Sequence, residues 1–181
     1  MTTLAKWSIA DYHKMIEAGI LGDRNIQLID GELVEMSPEG ITHAAYAGSM
    51  ADYLRQILLG KAWIREAHPI TINNSEPEPD IAIVKLPKSK YFQNHPIPQD
   101  ILWLIEISDT TLAYDLNRKK EIYAAANIAE YWVADVTSSK LIVFTQPSNN
   151  SYLAKSEFTT GSILPLSFSN ISISVDKLFE K

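Results

Sequence analysis

Asp80 and Glu106 are the two acidic residues whose settings invite chemistry. Asp80 follows Pro79 at the mouth of a β-like run, and Glu106 lies near the far end of the next one, ILWLIEIS, among apolar residues. If the runs at 80–85 and 101–107 pair as antiparallel neighbours, the start of one lies beside the end of the other, and both carboxylates meet at one sheet edge. Two carboxylates in one pocket repel each other and raise at least one pKa unless a divalent cation or a lysine neutralises them. Magnesium suits such a pair, because it takes hard oxygen ligands and keeps several waters. In DLNRKKEIY, Lys119 sits four residues after Asp115 and four before Tyr123, so the three share one helix face. Tyr123 is expected to point into the core and Lys119 to emerge over the edge where Glu106 ends. Lys120, about 100° around the helix, is expected to face solvent. Taken singly, each has a plainer reading: Asp80 as a turn residue, Glu106 as an ion-pair partner, Asp115 and Lys119 as a surface pair.

Other chemistries find little support. The four histidines, at 13, 43, 68 and 95, lack the paired spacing of a metal site. There is no glycine-rich phosphate loop, no G-x-S-x-G elbow and no dinucleotide fingerprint. The absence of cysteine excludes disulfides, thiolate zinc and a thiol nucleophile, and fits a reducing compartment. The first residues, MTTLAKWSIADYHK, carry no apolar leader, and no apolar run approaches the roughly 18 residues of a membrane span. A soluble cytoplasmic protein with no membrane partner is expected. The net charge of −6 argues against broad affinity for nucleic acid, though a local basic groove remains open. Lys85, Lys88, Lys90 and Tyr91 form the one local basic and aromatic cluster, read either as phosphate contacts or as solvated loop residues.

The elements that must position these residues follow from pattern. At 181 residues the chain reads as one domain, 1–181, able to bury a core without staples. Ser8 can cap a helix over 9–18, and Asp30-Gly31 between alternating apolar runs predicts a hairpin with strands at 26–29 and 32–36. A helix is expected from His43 to Leu59, β-like runs at 62–72 and 80–85, and a central strand at 101–107 covered on both faces. A helix from Asp115 through Ala126, a buried strand at 131–135, and strand-like runs from Lys140 onward complete the order. Helix, strand, strand, strand, helix, strand from 43 to 135 is an α/β sandwich.

The blocks G-E-L-V-E-M-S-P…H, S-E-P-E-P-D-I-A, L-I-E-I-S, D-L-N-R-K-K-E-I-Y and A-E-Y-W-V-A-D, in this order, resemble the Uma-type endonuclease-like family of the PD-(D/E)xK nuclease superfamily. The resemblance spans roughly residues 5 to 179. It implies a restriction-endonuclease-like αβββαβ core: a central mixed sheet flanked by helices, with an extra N-terminal hairpin and C-terminal strands. It also implies phosphodiester hydrolysis on DNA assisted by magnesium, or manganese in its place. Carried over by position, Pro79-Asp80 matches the superfamily's PD and Glu106 its second acidic residue. The usual lysine position, two beyond the glutamate, holds Ser108, and the family resemblance assigns the lysine's role to Lys119. Glu32 resembles an upstream acidic residue that completes the metal shell, Gln27 stands where relatives carry glutamate, and His43 matches a histidine at a helix opening that contacts phosphate or caps. Ser108, Lys85 and Lys88 are further candidates for phosphate or substrate contact. Cutting both strands of a duplex needs two sites, so a homodimer is expected. The competing reading is a nuclease-fold module that binds nucleic acid or a protein without cutting. Glycosidases also pair carboxylates but have no need of Lys119.

Overall fold

The computed structural model describes residues 3–180. Helix α1 (Ile9–Glu17) opens with a capping box, in which the Ser8 hydroxyl accepts from the Asp11 N–H and the Asp11 carboxylate accepts from the Ser8 N–H. It packs Tyr12 against Leu21 and Leu28. Asp30 and Gly31 take φ of 50° and 75°, the paired left-handed conformation of a tight hairpin turn between β1 (Ile26–Ile29) and β2 (Glu32–Glu35). Only glycine fits at position 31: a Cβ there would stand 2.7 Å from both Asn74 Nδ2 and Lys6 Cβ. The tip is held from both sides, with the Trp7 N–H donating to the Gly31 carbonyl and the Gly31 N–H donating to the Asn74 carbonyl.

The main sheet has the order β3-β4-β5-β6-β7-β8. Its strands are Trp63–Glu66, Ile81–Val84, Ile101–Ser108, Glu130–Asp135, Lys140–Ser148 and Ser151–Phe158. Every neighbouring pair is antiparallel except β5 and β6, which run parallel and are joined by a crossover helix spanning residues 112–125. Two short strands, Ser162–Ile163 and Ile173–Ser174, pair apart from it. The mixed sheet with flanking helices, the N-terminal hairpin and the added C-terminal strands agree with the expected architecture.

Alternation along β5 decides which layer each side chain joins. Trp103, Ile105 and Ile107 face α2 (Ile41–Ile57), packing with Met50, Leu54, Trp132 and Leu178. Leu104 faces the other way, into a cluster with Tyr123, Ile122, Val133 and Phe144 beneath the crossover helix. Each fully buried aliphatic side chain contributes about 1.5–3 kcal/mol. Glu106 continues the row of Leu104, so a carboxylate stands in an otherwise apolar layer.

The structure departs from the sequence expectations in three places. The run 62–72 is a strand only at Trp63–Glu66. Ala67 takes a φ of 44° and Pro69 has no N–H to give the ladder, so the chain leaves the sheet, and Ile72 and Ser75 close a tight turn with two mutual backbone bonds. Helix α2 starts at Ile41, two residues before His43. The crossover helix begins at Leu112 and contains a π-turn at Asp115–Lys119 before resuming as α-helix at Lys120–Ala125. Lys120 is half-buried, with its ammonium 5.7 Å from the centre of the Phe144 ring. No helix among the described residues is long and apolar enough to cross a membrane.

Candidate active site

The register of β4 on β5 pairs Ile81 with Ile105 and Ala82 with Leu104, so the next rung outward sets Asp80 against Glu106 on the same face. β5 outruns β4 at this end, and the Asp80 side chain replaces the missing strand: its Oδ2 accepts the Ile107 N–H at 2.6 Å. This bond fixes the carboxylate beside the end of β5.

Glu106 is 3% exposed. Its Oε1 accepts from the Lys119 ammonium at 2.8 Å and from the Tyr123 hydroxyl at 2.6 Å. Its Oε2 has no hydrogen-bond partner among the described residues. Burial pushes the Glu106 carboxyl up to about 8 against the pull of Lys119, and Asp80 and Asp115 add to the rise. Burial works against the Lys119 ammonium, yet Glu106 and Asp80 hold its pKa above the ordinary lysine value. Burial and the neighbouring Glu106 push the Tyr123 hydroxyl far up, keeping it a donor.

Two further groups flank this centre. His43 Nε2 lies 2.9 Å from Asp80 Oδ2, a contact that pairs opposite charges when the ring is protonated, and Nδ1 lies 3.3 Å from Glu39 Oε1. Asp80, ahead of the opposing effect of burial, raises the His43 pKa. Gly40 occupies the cap position, so His43 does not cap the helix. Asp115 is buried and accepts at Oδ2 from the Ser108 hydroxyl at 2.7 Å and the Thr111 hydroxyl at 2.6 Å. Burial raises its pKa, and the two hydroxyls oppose the rise.

Asp80, Glu106, Lys119 and His43 therefore converge, and four other sequence candidates do not join them. Ser108 is fully buried and donates to Asp115, so it supports the crossover helix and has no surface for a phosphate. Glu32 is engaged at the hairpin, 3.6 Å from Arg118 and 4.0 Å from Lys6. Lys85 and Lys88 follow the opposite end of β4 from Asp80, about 3.3 Å further away with each strand residue. Lys85 is exposed there, and the Lys88 ammonium lies 5.6 Å from the centre of the Trp63 ring. No group of three His, Asp or Glu side chains among the described residues forms a complete metal-ligand set. What the pocket offers is two neighbouring carboxylates, with Glu106 Oε2 free of hydrogen bonds, which fits a cation held by one or two carboxylates and otherwise by water and phosphate.

Sequence reasoning missed the Tyr123 hydroxyl as a Glu106 partner and His43 as an Asp80 partner. It also passed over Glu78, whose carboxyl is raised by burial with Lys119 within electrostatic reach and whose N–H donates to Gln27 Oε1 at 3.2 Å. The signal available was spacing, because Glu78 and Asp80 lie two apart in an extended, proline-punctuated stretch.

Residues 9–176 match the model of the Uma2 family, described as "Putative restriction endonuclease". The chain belongs to this family. Among solved structures it is similar to the crystal structure of a "putative nuclease belonging to DUF820" from Anabaena variabilis ATCC 29413. The TM-score is 0.64 at 16% identity, covering 85% of this chain and 89% of that one. At that identity the likeness establishes the fold, and Uma2 membership rests on the sequence match. No curated protein matches the sequence.

Proposed function

We propose that this Uma2 member is a divalent-cation-dependent endonuclease that hydrolyses DNA phosphodiester bonds, with magnesium or manganese held by Asp80 and Glu106. The observation that carries the reading is the meeting of Asp80, Glu106 and Lys119 at one end of β4 and β5. A bound cation of this kind supplies Lewis acidity toward a phosphate and lowers the pKa of its water. The chain's own groups do the rest. The Ile107 N–H orients Asp80, Tyr123 fixes the Glu106 carboxylate, and the Lys119 ammonium balances negative charge that grows on the phosphoryl oxygens. The N-terminus of α2, with His43 beside Asp80, adds positive character on the substrate side.

The test is incubation with supercoiled plasmid and Mg2+ or Mn2+, beside Glu106→Ala and an EDTA control. Cation-dependent nicking that the variant lacks is the expected result. One observation favours a second reading, a nuclease-fold module that binds without cutting: Lys119 is only 2% exposed and already paired with Glu106. Absence of nicking together with absence of calorimetric heat from either cation would overturn the cation-dependent nuclease and favour that alternative. Two-strand cleavage requires paired sites, so we further propose a homodimer; a monomer mass by light scattering at micromolar concentration would refute it.

A further inference from the structure

Among the described residues, two atoms near this site are sealed from solvent without a hydrogen bond, His43 Nε2, which lies 2.9 Å from Asp80, and the Tyr114 hydroxyl, for which no salt-bridge or hydrogen-bond partner exists. Its oxygen is buried and makes no hydrogen bond, although the ring as a whole is only half-buried. Leaving a hydroxyl unpaired out of water is costly, so such atoms ask for a reason. Phenylalanine would fill the same space without that penalty.

The helix explains why the hydroxyl is there. Tyr114 stands immediately before the π-turn Asp115–Lys119, in which the Lys120 N–H reaches back to the Asp115 carbonyl, five residues earlier. A turn bonded at that spacing brings residue 114 under residue 119, where a regular α-turn would favour residue 115 alone. The widened turn sets residue 119 over the step between residues 114 and 115 of the preceding turn. The charges that bear on the hydroxyl are Lys119, Arg118, Glu106 and Asp115.

We propose that Tyr114 is a positioning residue for Lys119: when a divalent cation takes up the Glu106 carboxylate, the Lys119 ammonium turns partly from Glu106 and donates a hydrogen bond to the Tyr114 hydroxyl. This rests on the reading of Asp80 and Glu106 as cation ligands. In the cation-free pocket Lys119 and Tyr123 both donate to Glu106 Oε1, and Tyr114 waits unpaired. A cation sharing the carboxylate withdraws negative charge from it, and the ammonium loses part of its counter-ion. Tyr114 then supplies the acceptor that keeps Lys119 in the pocket and aimed at the substrate side. The bond exists only in the loaded state, so by linkage its loss must weaken cation binding.

The experiment compares the intact wild-type protein, Tyr114→Phe and Glu106→Ala by Mn2+ calorimetry and by thermal melting without added cation. The expected result for Tyr114→Phe is a Mn2+ dissociation constant weakened by roughly 2- to 13-fold, the equivalent of one net hydrogen bond, with a melting temperature without cation that is unchanged or higher. Wild-type affinity for Mn2+ in Tyr114→Phe overturns the proposal while leaving the cation site intact. A lower melting temperature without cation also overturns it, because the hydroxyl would then be bonded in the resting state. If the wild-type protein binds no Mn2+, or Glu106→Ala binds it equally well, the reading of the site fails and the role of Tyr114 falls with it.

Discussion

Glu106 and Lys119, thirteen residues apart in sequence, form a buried ion pair of 2.8 Å between the end of β5 and the π-turn of the crossover helix. Neither charge has water to fall back on. Breaking such a pair from one side leaves the other charge uncompensated, at a cost of about 3–5 kcal/mol. Above about pH 8, where Glu106 is ionised, Lys119→Met is expected to lower unfolding free energy by that order in urea titration. The double variant Glu106→Gln with Lys119→Met should recover much of the loss, because two neutral groups of similar size remain. Equal destabilisation of single and double variants would show the pair to be weakly coupled.

The raised Glu106 carboxyl gives a pH dependence with a definite sign. Its folded-state pKa lies near 8, against 4.5 for an ordinary glutamate. The folded state therefore binds a proton that the unfolded chain has already released in this range. The associated stability is complete below about 4.5 and is lost as pH rises toward 8. Without added divalent cation, wild-type stability should fall relative to Glu106→Gln between pH 5 and about 8, as measured by melting at several pH values. A constant difference across the range would contradict the shift.

Asp80 is held by a backbone donor and faces a histidine, so its removal is not silent. Asp80→Asn retains an acceptor for the Ile107 N–H, whereas Asp80→Ala leaves that N–H unpaired. The alanine variant should be the less stable of the two by about 1–3 kcal/mol in denaturant titration, while both lose Mn2+ binding by calorimetry. Retained Mn2+ binding in the asparagine variant would remove Asp80 from the cation site.

Gly31 tests the hairpin. A methyl group there meets Asn74 and Lys6 in a backbone conformation that side-chain-bearing residues rarely adopt. Gly31→Ala should cost about 1–3 kcal/mol, seen as a lowered melting temperature. A melting temperature equal to wild type would show that the tip relaxes freely.

The sequence carried the sheet's logic because strand alternation and register are periodic. Once 80–85 and 101–107 are neighbours running in opposite directions, Asp80 must lie near Glu106, and the i, i+4 spacing brings Lys119 and Tyr123 to the same layer. What periodicity could not carry was local and irregular. The left-handed Ala67 ended a strand that composition alone would continue to residue 72. The π-turn at 115–119 has the same residue spacing as an α-helix when read as letters, so Tyr114 attracted no notice. Charge alone assigns the loop lysines at 85 and 88 to the site, but a strand separates them from it. Ser108 is close to Glu106 in sequence, but its hydroxyl donates to Asp115 on the crossover helix instead.

Arg118 and Lys119 are consecutive yet serve different neighbours. The first reaches Asp30 and Glu32 on the hairpin, and the second reaches Glu106 on the sheet. The pocket is thus sewn from segments near residues 43, 80, 106 and 119, with the crossover helix as the closing stitch. A chain still emerging from a ribosome cannot contain the site until Tyr123 has been made and the helix has room to dock. Until then a chain that has paired β4 with β5 holds Asp80 beside Glu106 with no Lys119 to answer their charge, and the later helix supplies that cationic group.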